Sequence, residues 1–420
     1  MEFGEIFRGL LGLCVFIGLA WLFSEKRKEV SIKLILGGLA AQIIIAVLLT
    51  QVPAVIAGLK GVTKAVDGLQ KSAEAGAVFV FGYLGGGPQP FAEGTLEGST
   101  FIFALQVLPA VLLVSALAAV LWHWGVLRWI VRGAAWLFGR AFGVSGPVGV
   151  STSACIFLGM IEAPLLVRPM LPKLSRGEFF IIMVDGLSVI GGSTMILIGV
   201  MLAHKYPDLF SHLLSATLIS TPMAITMARI MIPTPAVASS EKISLESEYK
   251  STLDAMTQGT INAITIAAYV VGLLIVFVGT MSLIDMLLGL LPHSGDPLSL
   301  SKIFGFILAP FAWLMGVTAG DFQTVGGLLG TKVAANEVVA YTQLAGLPDG
   351  TLSEKSELIS KYALGSFGNF GSVAILIGTL SAMAPEKSDD IVSLGFKALF
   401  AAFLTCCMTG TIVGLLSSFS

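Results

Sequence analysis

Two glutamates stand in stretches where a charge is expensive. Glu162 lies in Gly159-Met160-Ile161-Glu162-Ala163-Pro164-Leu165, after a run from Ala141 to Ile161 that holds no charge at all. Glu337 lies in Ala334-Ala335-Asn336-Glu337-Val338, in the other half of the chain. An ionisable side chain at membrane depth faces a cavity or the interior of a helix bundle, where it binds polar ligands or relays protons. The pair reads as two carboxylates that accept hydrogen bonds from a polar substrate or exchange a proton. A blander reading makes each one a helix cap, or pairs it with a buried base. Arg168 follows Glu162, and Lys332 lies near Glu337.

Other polar groups interrupt apolar sequence in the same manner. Asn369 and Ser372 occur in Ser366-Phe367-Gly368-Asn369-Phe370-Gly371-Ser372, where an unwound turn would aim an amide and a hydroxyl at a ligand. Small-residue helices also use such groups simply to bond one another. Asp185 and Ser188, in Met183-Val184-Asp185-Gly186-Leu187-Ser188, carry the same two readings, and Asp185 could also shuttle protons. Asp285 and Asp321 sit near expected membrane boundaries. His123, His204, His212 and His293 are scattered without ligand spacing, so no metal site is expected.

Enzymatic readings fit poorly. Asp321 follows Ala319-Gly320 rather than the Gly-x-Gly that an intramembrane aspartyl protease needs. Ser188 lacks the second glycine of a nucleophile elbow and has no evident base. A Walker A sequence is missing, so ATP drives nothing within the chain, and no cofactor is expected.

The elements that must position these residues are membrane helices. Of 420 residues, 55% are hydrophobic and 12% charged, with mean hydropathy +0.90. A soluble domain holds about 25% charged residues. The net charge of −2 leaves no basic footprint for nucleic acid. Cys14, Cys155, Cys406 and Cys407 lie in apolar stretches, unlike a disulfide framework or a C-x-x-C site. The first apolar run, from Gly9 to Ser24, ends in Lys26-Arg27-Lys28 and reads as a retained helix with its anchor.

Uncharged runs near the roughly 20 residues that span a bilayer are Leu34–Leu59, Gly98–Leu127, Gly186–Ala203, Leu209–Ala228, Ala255–Ile284, Tyr362–Pro385 and Ala398–Ser420. With the first helix they predict about eight transmembrane helices. Segments 143–172 and 319–347 are apolar but broken, and suit re-entrant hairpins. Lys26, Arg27, Lys28, Lys33, Arg128, Arg132, Arg140, Lys173, Arg176, Lys242 and Lys250 fall on one side of this arrangement. If that side is cytoplasmic, both termini lie outside a cell inner (plasma) membrane.

The chain is expected to say the same thing twice. After residues 1–97 (two helices, an amphipathic interfacial segment around 60–80 and the loop Gly82–Pro90) comes a first repeat, 98–232, holding Glu162. A polar linker, 233–254, leads to a second repeat, 255–420, holding Glu337. Each repeat reads long helix, interfacial stretch, hairpin, Gly-interrupted helix and span. The expected fold is an all-α polytopic membrane protein built as an inverted repeat, and broken helices in matching positions point to a secondary transporter.

Several segments resemble the concentrative nucleoside transporter family. They are Ser24-Glu25-Lys26-Arg27-Lys28, Phe101 to Ala116, Glu162-Ala163-Pro164-Leu165 through Arg168-Pro169, Lys332-Val333-Ala334-Ala335-Asn336-Glu337-Val338-Val339-Ala340-Tyr341, and Phe367-Gly368-Asn369-Phe370-Gly371-Ser372-Val373-Ala374. The resemblance implies eight helices with two opposed hairpins, and a homotrimer whose transport domains move against a scaffold. It implies that Glu337, Asn369 and Ser372 hold a ribose and that Glu162 lies at the base end. Asn336 and Phe367, within the matched stretches, join the expected substrate-facing set.

The departures from the family are specific. Where the family usually has Gln and Thr or Ser before the first glutamate, this chain has Met160 and Ile161, which are counted with the substrate-facing set but cannot read a base by hydrogen bonds. Where sodium-driven members have an Asn in the first hairpin and a Ser in the following helix, it has Cys155 and Val189. Backbone carbonyls at Leu158 and Ile190 remain, but a hard cation wants oxygen ligands. Proton coupling is therefore expected, with Glu162, Glu337 or Asp185 as carrier. Sodium held mainly by carbonyls, or a nucleoside-binding sensor with weak transport, are the alternatives.

Overall fold

The computed structural model describes residues 3–90, 102–234, 245, 247, 249–291 and 297–417. Among them every regular element is a helix. The first three are α1 (Phe3–Leu22), α2 (Ile32–Gln51) and α3 (Pro53–Phe81). Ser31 starts α2 by accepting the Leu34 N–H, the usual service of a hydroxyl to an unpaired helix donor.

The run expected as one helix, Leu34–Leu59, is two. Val52 is extended, with φ −90° and ψ 111°, and Pro53 opens α3. The proline ring pushes its preceding residue out of the helical region while itself fitting a first helical turn. The segment expected to be amphipathic, 60–80, lies inside α3, and its Lys60, Lys64, Asp67, Lys71 and Glu74 punctuate the apolar positions.

The next eight helices are α4 (Phe103–Gln106), α5 (Leu108–His123), α6 (Val126–Phe142), α7 (Gly146–Leu158), α8 (Glu162–Leu165), α9 (Arg176–Ser188), α10 (Gly192–Leu202) and α11 (Leu209–Met231). The last seven are α12 (Thr252–Gly289), α13 (Leu300–Leu314), α14 (Phe322–Ala334), α15 (Glu337–Gly346), α16 (Glu354–Ala363), α17 (Phe370–Met383) and α18 (Ser388–Leu416). The order repeats: α4–α5 or α12 is a long helical stretch, α6 or α13 a shorter helix, α7–α8 or α14–α15 a hairpin, α9–α10 or α16–α17 a broken helix, and α11 or α18 a closing span. The linker 233–254 and the loop containing His293 fall largely outside the described residues, as does the start of the run from Gly98.

Six helical stretches among the described residues are long and apolar enough to cross a membrane: α2, α4–α5, α9–α10, α11, α12 and α18. The apolar part of α1, Ile6–Leu22, and α17 behind its break supply shorter ones. The chain is a multi-pass membrane protein. Burial sorts the helices into centre and rim. In α9–α10, α11 and α18, 83% of the apolar window is buried, against 11% in α12. α12 packs along α5, and much of the rest of its surface is exposed. α2 lies on α11, and α1 on α18, so the buried trio has helices on its flanks.

Ion pairs tie the ends of this bundle. Glu25, just after α1, accepts Lys397 Nζ at 2.7 Å and Arg176 Nη2 at 3.3 Å. Arg176 also reaches Asp390 at 2.9 Å and the Ser393 hydroxyl at 2.7 Å. Burial alone would raise the Glu25 carboxyl, but Lys397 and Arg176 bring it below its ordinary 4.5.

Candidate substrate and coupling site

The second hairpin turns at Ala335–Asn336, and its returning helix α15 begins with Glu337. Asn336 is extended, and its side-chain oxygen accepts the Val339 N–H at 2.9 Å. Asn369 does the same for α17, accepting the Ser372 N–H at 2.7 Å. Its amide nitrogen then donates to Glu337 Oε2 at 3.1 Å. Two helix N-termini thus converge on one carboxylate, and the positive ends of both dipoles suit its charge. Glu337, Asn369 and Ser372 are all buried, and Phe367 is half-buried beside them.

Lys332 is fully buried but forms no ion pair with Glu337. Its ammonium donates to the Ala363 carbonyl at 3.1 Å, at the C-terminal end of α16. A cation there satisfies an orphan carbonyl of the broken helix. Glu337 accordingly has an amide partner in place of the basic one of the blander reading.

The first hairpin turns at Gly159, which has φ +100°. A side chain there would be strained, and one on Gly191 would place its Cβ 2.7 Å from the Gly159 Cα. The hairpin tip therefore rests backbone on backbone against the α9–α10 break. Met160 is buried, with its Cβ 3.1 Å from where a Gly186 Cβ would point. Ile161 and Glu162 are half-buried, and Arg168 is exposed, so the blander reading of Glu162 paired with a buried Arg168 does not hold.

Around this tip the polar chemistry is thin. Cys155 and Val189 are buried, and the Ile190 carbonyl already takes the Thr217 hydroxyl at 3.4 Å. Ser188 bonds the Val184 carbonyl of its own helix at 2.7 Å. Asp185 is 1% exposed, and neither of its oxygens has a hydrogen-bond partner among the described residues. Asp285 and Asp321 instead serve loops and caps, accepting from Leu300 N at 2.7 Å and from Ser353 N at 3.1 Å.

The two breaks are joined. Phe367 N–H donates to the Val189 carbonyl at 3.1 Å, so the interrupted turns of the repeats meet where both hairpins arrive. Sequence reasoning missed this bond, because backbone pairing between distant breaks leaves no side-chain pattern. It also missed the capping by Asn336, although an Asn just before a helix is a readable signal. The buried chain Gln42–Thr409–Ser220, with bonds of 3.1 and 2.8 Å, and the Tyr341 hydroxyl on the Lys361 carbonyl were likewise unforeseen.

Hairpins that arrive at paired helix breaks inside a membrane bundle define a secondary transporter. Residues 11–84 and 212–414 match the N- and C-terminal parts of the family described as Na+ dependent nucleoside transporter, and residues 104–205 match the one described as nucleoside recognition. The putative nucleoside permease NupX of Escherichia coli is 33% identical over 98% of both chains. The inward-facing, substrate-bound structure of CNTnw is 30% identical, covers 99% of both chains and superposes with a TM-score of 0.87. An outward-facing state of a substituted form of the same transporter gives 0.90, with 30% identity and the same coverage. The chain belongs to the concentrative nucleoside transporter family and is not an enzyme.

Proposed function

We propose that the protein imports nucleosides or close analogues by alternating access, driven by a proton gradient. The observation that carries the substrate half is the Glu337–Asn369 pair, held by two helix caps at a meeting of helix breaks. A carboxylate accepts from vicinal hydroxyls, and such charge-assisted bonds are about twice as strong as neutral ones. Ser372 adds a hydroxyl one turn along α17, with Asn336 at the second hairpin's turn and Phe367 at the α16–α17 break. Glu162 sits at the opposite hairpin, where Met160 and Ile161 offer only apolar contact, so base recognition runs through shape and Glu162.

Proton coupling is supported by the weakness of the alternative cation site. A thiol and an isopropyl group stand at Cys155 and Val189, and the Ile190 carbonyl is engaged by Thr217. The description of the matching families as Na+ dependent favours the competing reading, sodium held mainly by the Leu158 and Ile190 carbonyls. In this account hairpins α7–α8 and α14–α15 are re-entrant, and Lys26–Lys33, Arg128, Arg132, Arg140, Lys173 and Arg176 face the cytoplasm of a plasma-membrane protein with both termini outside. The scaffold comprises the N-terminal helices with α5 and α12, and three copies assemble through it.

The test is uptake of radiolabelled nucleosides into proteoliposomes, with proton and sodium gradients imposed separately. Accumulation under a proton gradient alone is expected. Accumulation only with sodium would reassign the coupling ion, and saturable binding without accumulation would make the protein a sensor.

A further inference from the structure

A carboxyl group buried without a partner is the least comfortable side chain in this molecule. Burying an unpaired charge is costly enough that such groups neutralise, pair or serve a function. Asp185 has none of the usual compensations. Both oxygens are shut away from solvent and unbonded among the described residues, whereas Glu337 has Asn369, Glu178 has Ser175 and Asp321 has Ser353. Asp185 lies in the last turn of α9, just before the break at Val189–Gly191.

The surroundings are nearly uncharged on every side. From α7 the titratable group facing Asp185 is Cys155, whose thiol feels both Asp185 and Glu162. α11 offers His212 and Arg229. His212 is engaged with the Tyr362 hydroxyl at 3.2 Å, and Arg229 with the Phe142 and Thr234 carbonyls. α18 offers Cys406, whose thiol meets the Ser188 carbonyl at 3.8 Å, and Cys407. Asp389, Asp390 and Lys397 lie in its first turns, where Arg176 of α9 and Glu25 join Asp390 and Lys397. α17 carries no titratable side chain. Among the described residues no base therefore neutralises Asp185.

From that geometry we infer that Asp185 is the residue that takes up and releases the coupling proton. The inference rests on the proton-coupled reading above and selects one carrier from its three candidates. Its logic is a lock. The first hairpin rests on the α9–α10 break through Gly159 on Gly191, and through Met160 on Gly186, the residue next to Asp185. With its proton on, Asp185 is a neutral group compatible with that dry contact. Without it, the carboxylate needs water, which reaches it only when the hairpin lifts from α9. Proton binding therefore favours the seated hairpin and proton loss the lifted one. A ligand that affects only one of two states shifts their balance by its differential affinity. The proton enters from the side of higher acidity onto a carboxylate oxygen, crosses as the neutral acid with the substrate, and leaves to water on the other side.

Three measurements in proteoliposomes test this, using radiolabelled uridine and adenosine and an entrapped pH dye. Wild-type protein is expected to move protons inward with nucleoside. Asp185→Asn should lose at least tenfold of both proton influx and gradient-driven accumulation, while equilibrium nucleoside binding stays within threefold. Asp185→Glu, which keeps a carboxyl but moves it by one methylene, should stay coupled with a shifted pH midpoint for uptake. Undiminished proton-driven accumulation in Asp185→Asn overturns the assignment and leaves the proton-coupled reading standing. An unchanged pH profile in Asp185→Glu overturns it as well, and decides the matter if the Asn variant fails to fold. Wild-type nucleoside flux with no proton movement would sink the coupled reading itself, and Asp185 with it.

Discussion

The two hairpins of this protein share a topology and differ in chemistry. At the second, the groups around Glu337 are bonded: Asn336 and Asn369 cap helices, Asn369 bonds Glu337, and Lys332 meets Ala363, while the Thr331 hydroxyl behind them has no partner among the described residues. At the first, Met160, Cys155 and Val189 are apolar or weakly polar, and Asp185 is buried without a bond. A satisfied polar network is rigid and suits recognition of a fixed shape. An unsatisfied acid is stable only in one protonation state per conformation, which suits coupling. On the proposed function, substrate grip falls to the second copy and the driving ion to the first.

The largest blow to that division is expected from Glu337→Gln. Losing charge-assisted bonds at about 1.5–3 kcal/mol each should cut transport of every ribosyl substrate by on the order of 100-fold or more. Substrate-panel uptake checks this, and normal transport would remove Glu337 from the ribose site. Next comes Asn369→Ala, which deletes both the Glu337 partner and the α17 cap. Loss of a cap costs about 1 kcal/mol, so thermal unfolding should shift down by a few degrees, and nucleoside affinity should fall about tenfold.

A smaller effect sharpens the contrast from the other side. Replacing Met160 with Gln and Ile161 with Thr gives the first hairpin hydrogen-bonding side chains. Uridine affinity should rise, by about tenfold for one added bond near 1.4 kcal/mol, with proton coupling unchanged. If coupling changes as strongly as affinity, the two roles are not separable between hairpins. The smallest expected effect is at the Glu25 network. Its folded value lies below 4.5, so its contribution is fully present above that ordinary value and fades as pH falls through the folded one. Glu25→Gln should slightly lower the thermal midpoint at neutral pH, and the difference from wild type should vanish in acid.

Much of this was legible because membrane burial makes charges conspicuous. Glu162, Glu337 and Asp185 stood out as ionisable groups in apolar runs, and the Gly-interrupted segments after each hairpin marked both broken helices. The repeat order followed from the same pattern of runs and interruptions. Boundaries were less readable, since the uncharged stretch Leu34–Leu59 hides the break that Pro53 imposes. Partners were least readable of all. Lys332 sits five residues from Glu337 in sequence, yet the turn at Ala335 lets it reach Ala363 instead. Nothing in the spacing of Asp185 showed that it would lack a partner, because that depends on what α7, α11 and α18 bring to it.

The central claim is that a proton gradient acting at the first hairpin drives nucleosides held at the second. It is met most directly by simultaneous recording of nucleoside uptake and internal pH in proteoliposomes free of sodium. The account predicts concentrative uptake accompanied by internal acidification, both dependent on the imposed proton gradient. Uptake that needs sodium and leaves internal pH unchanged would contradict it.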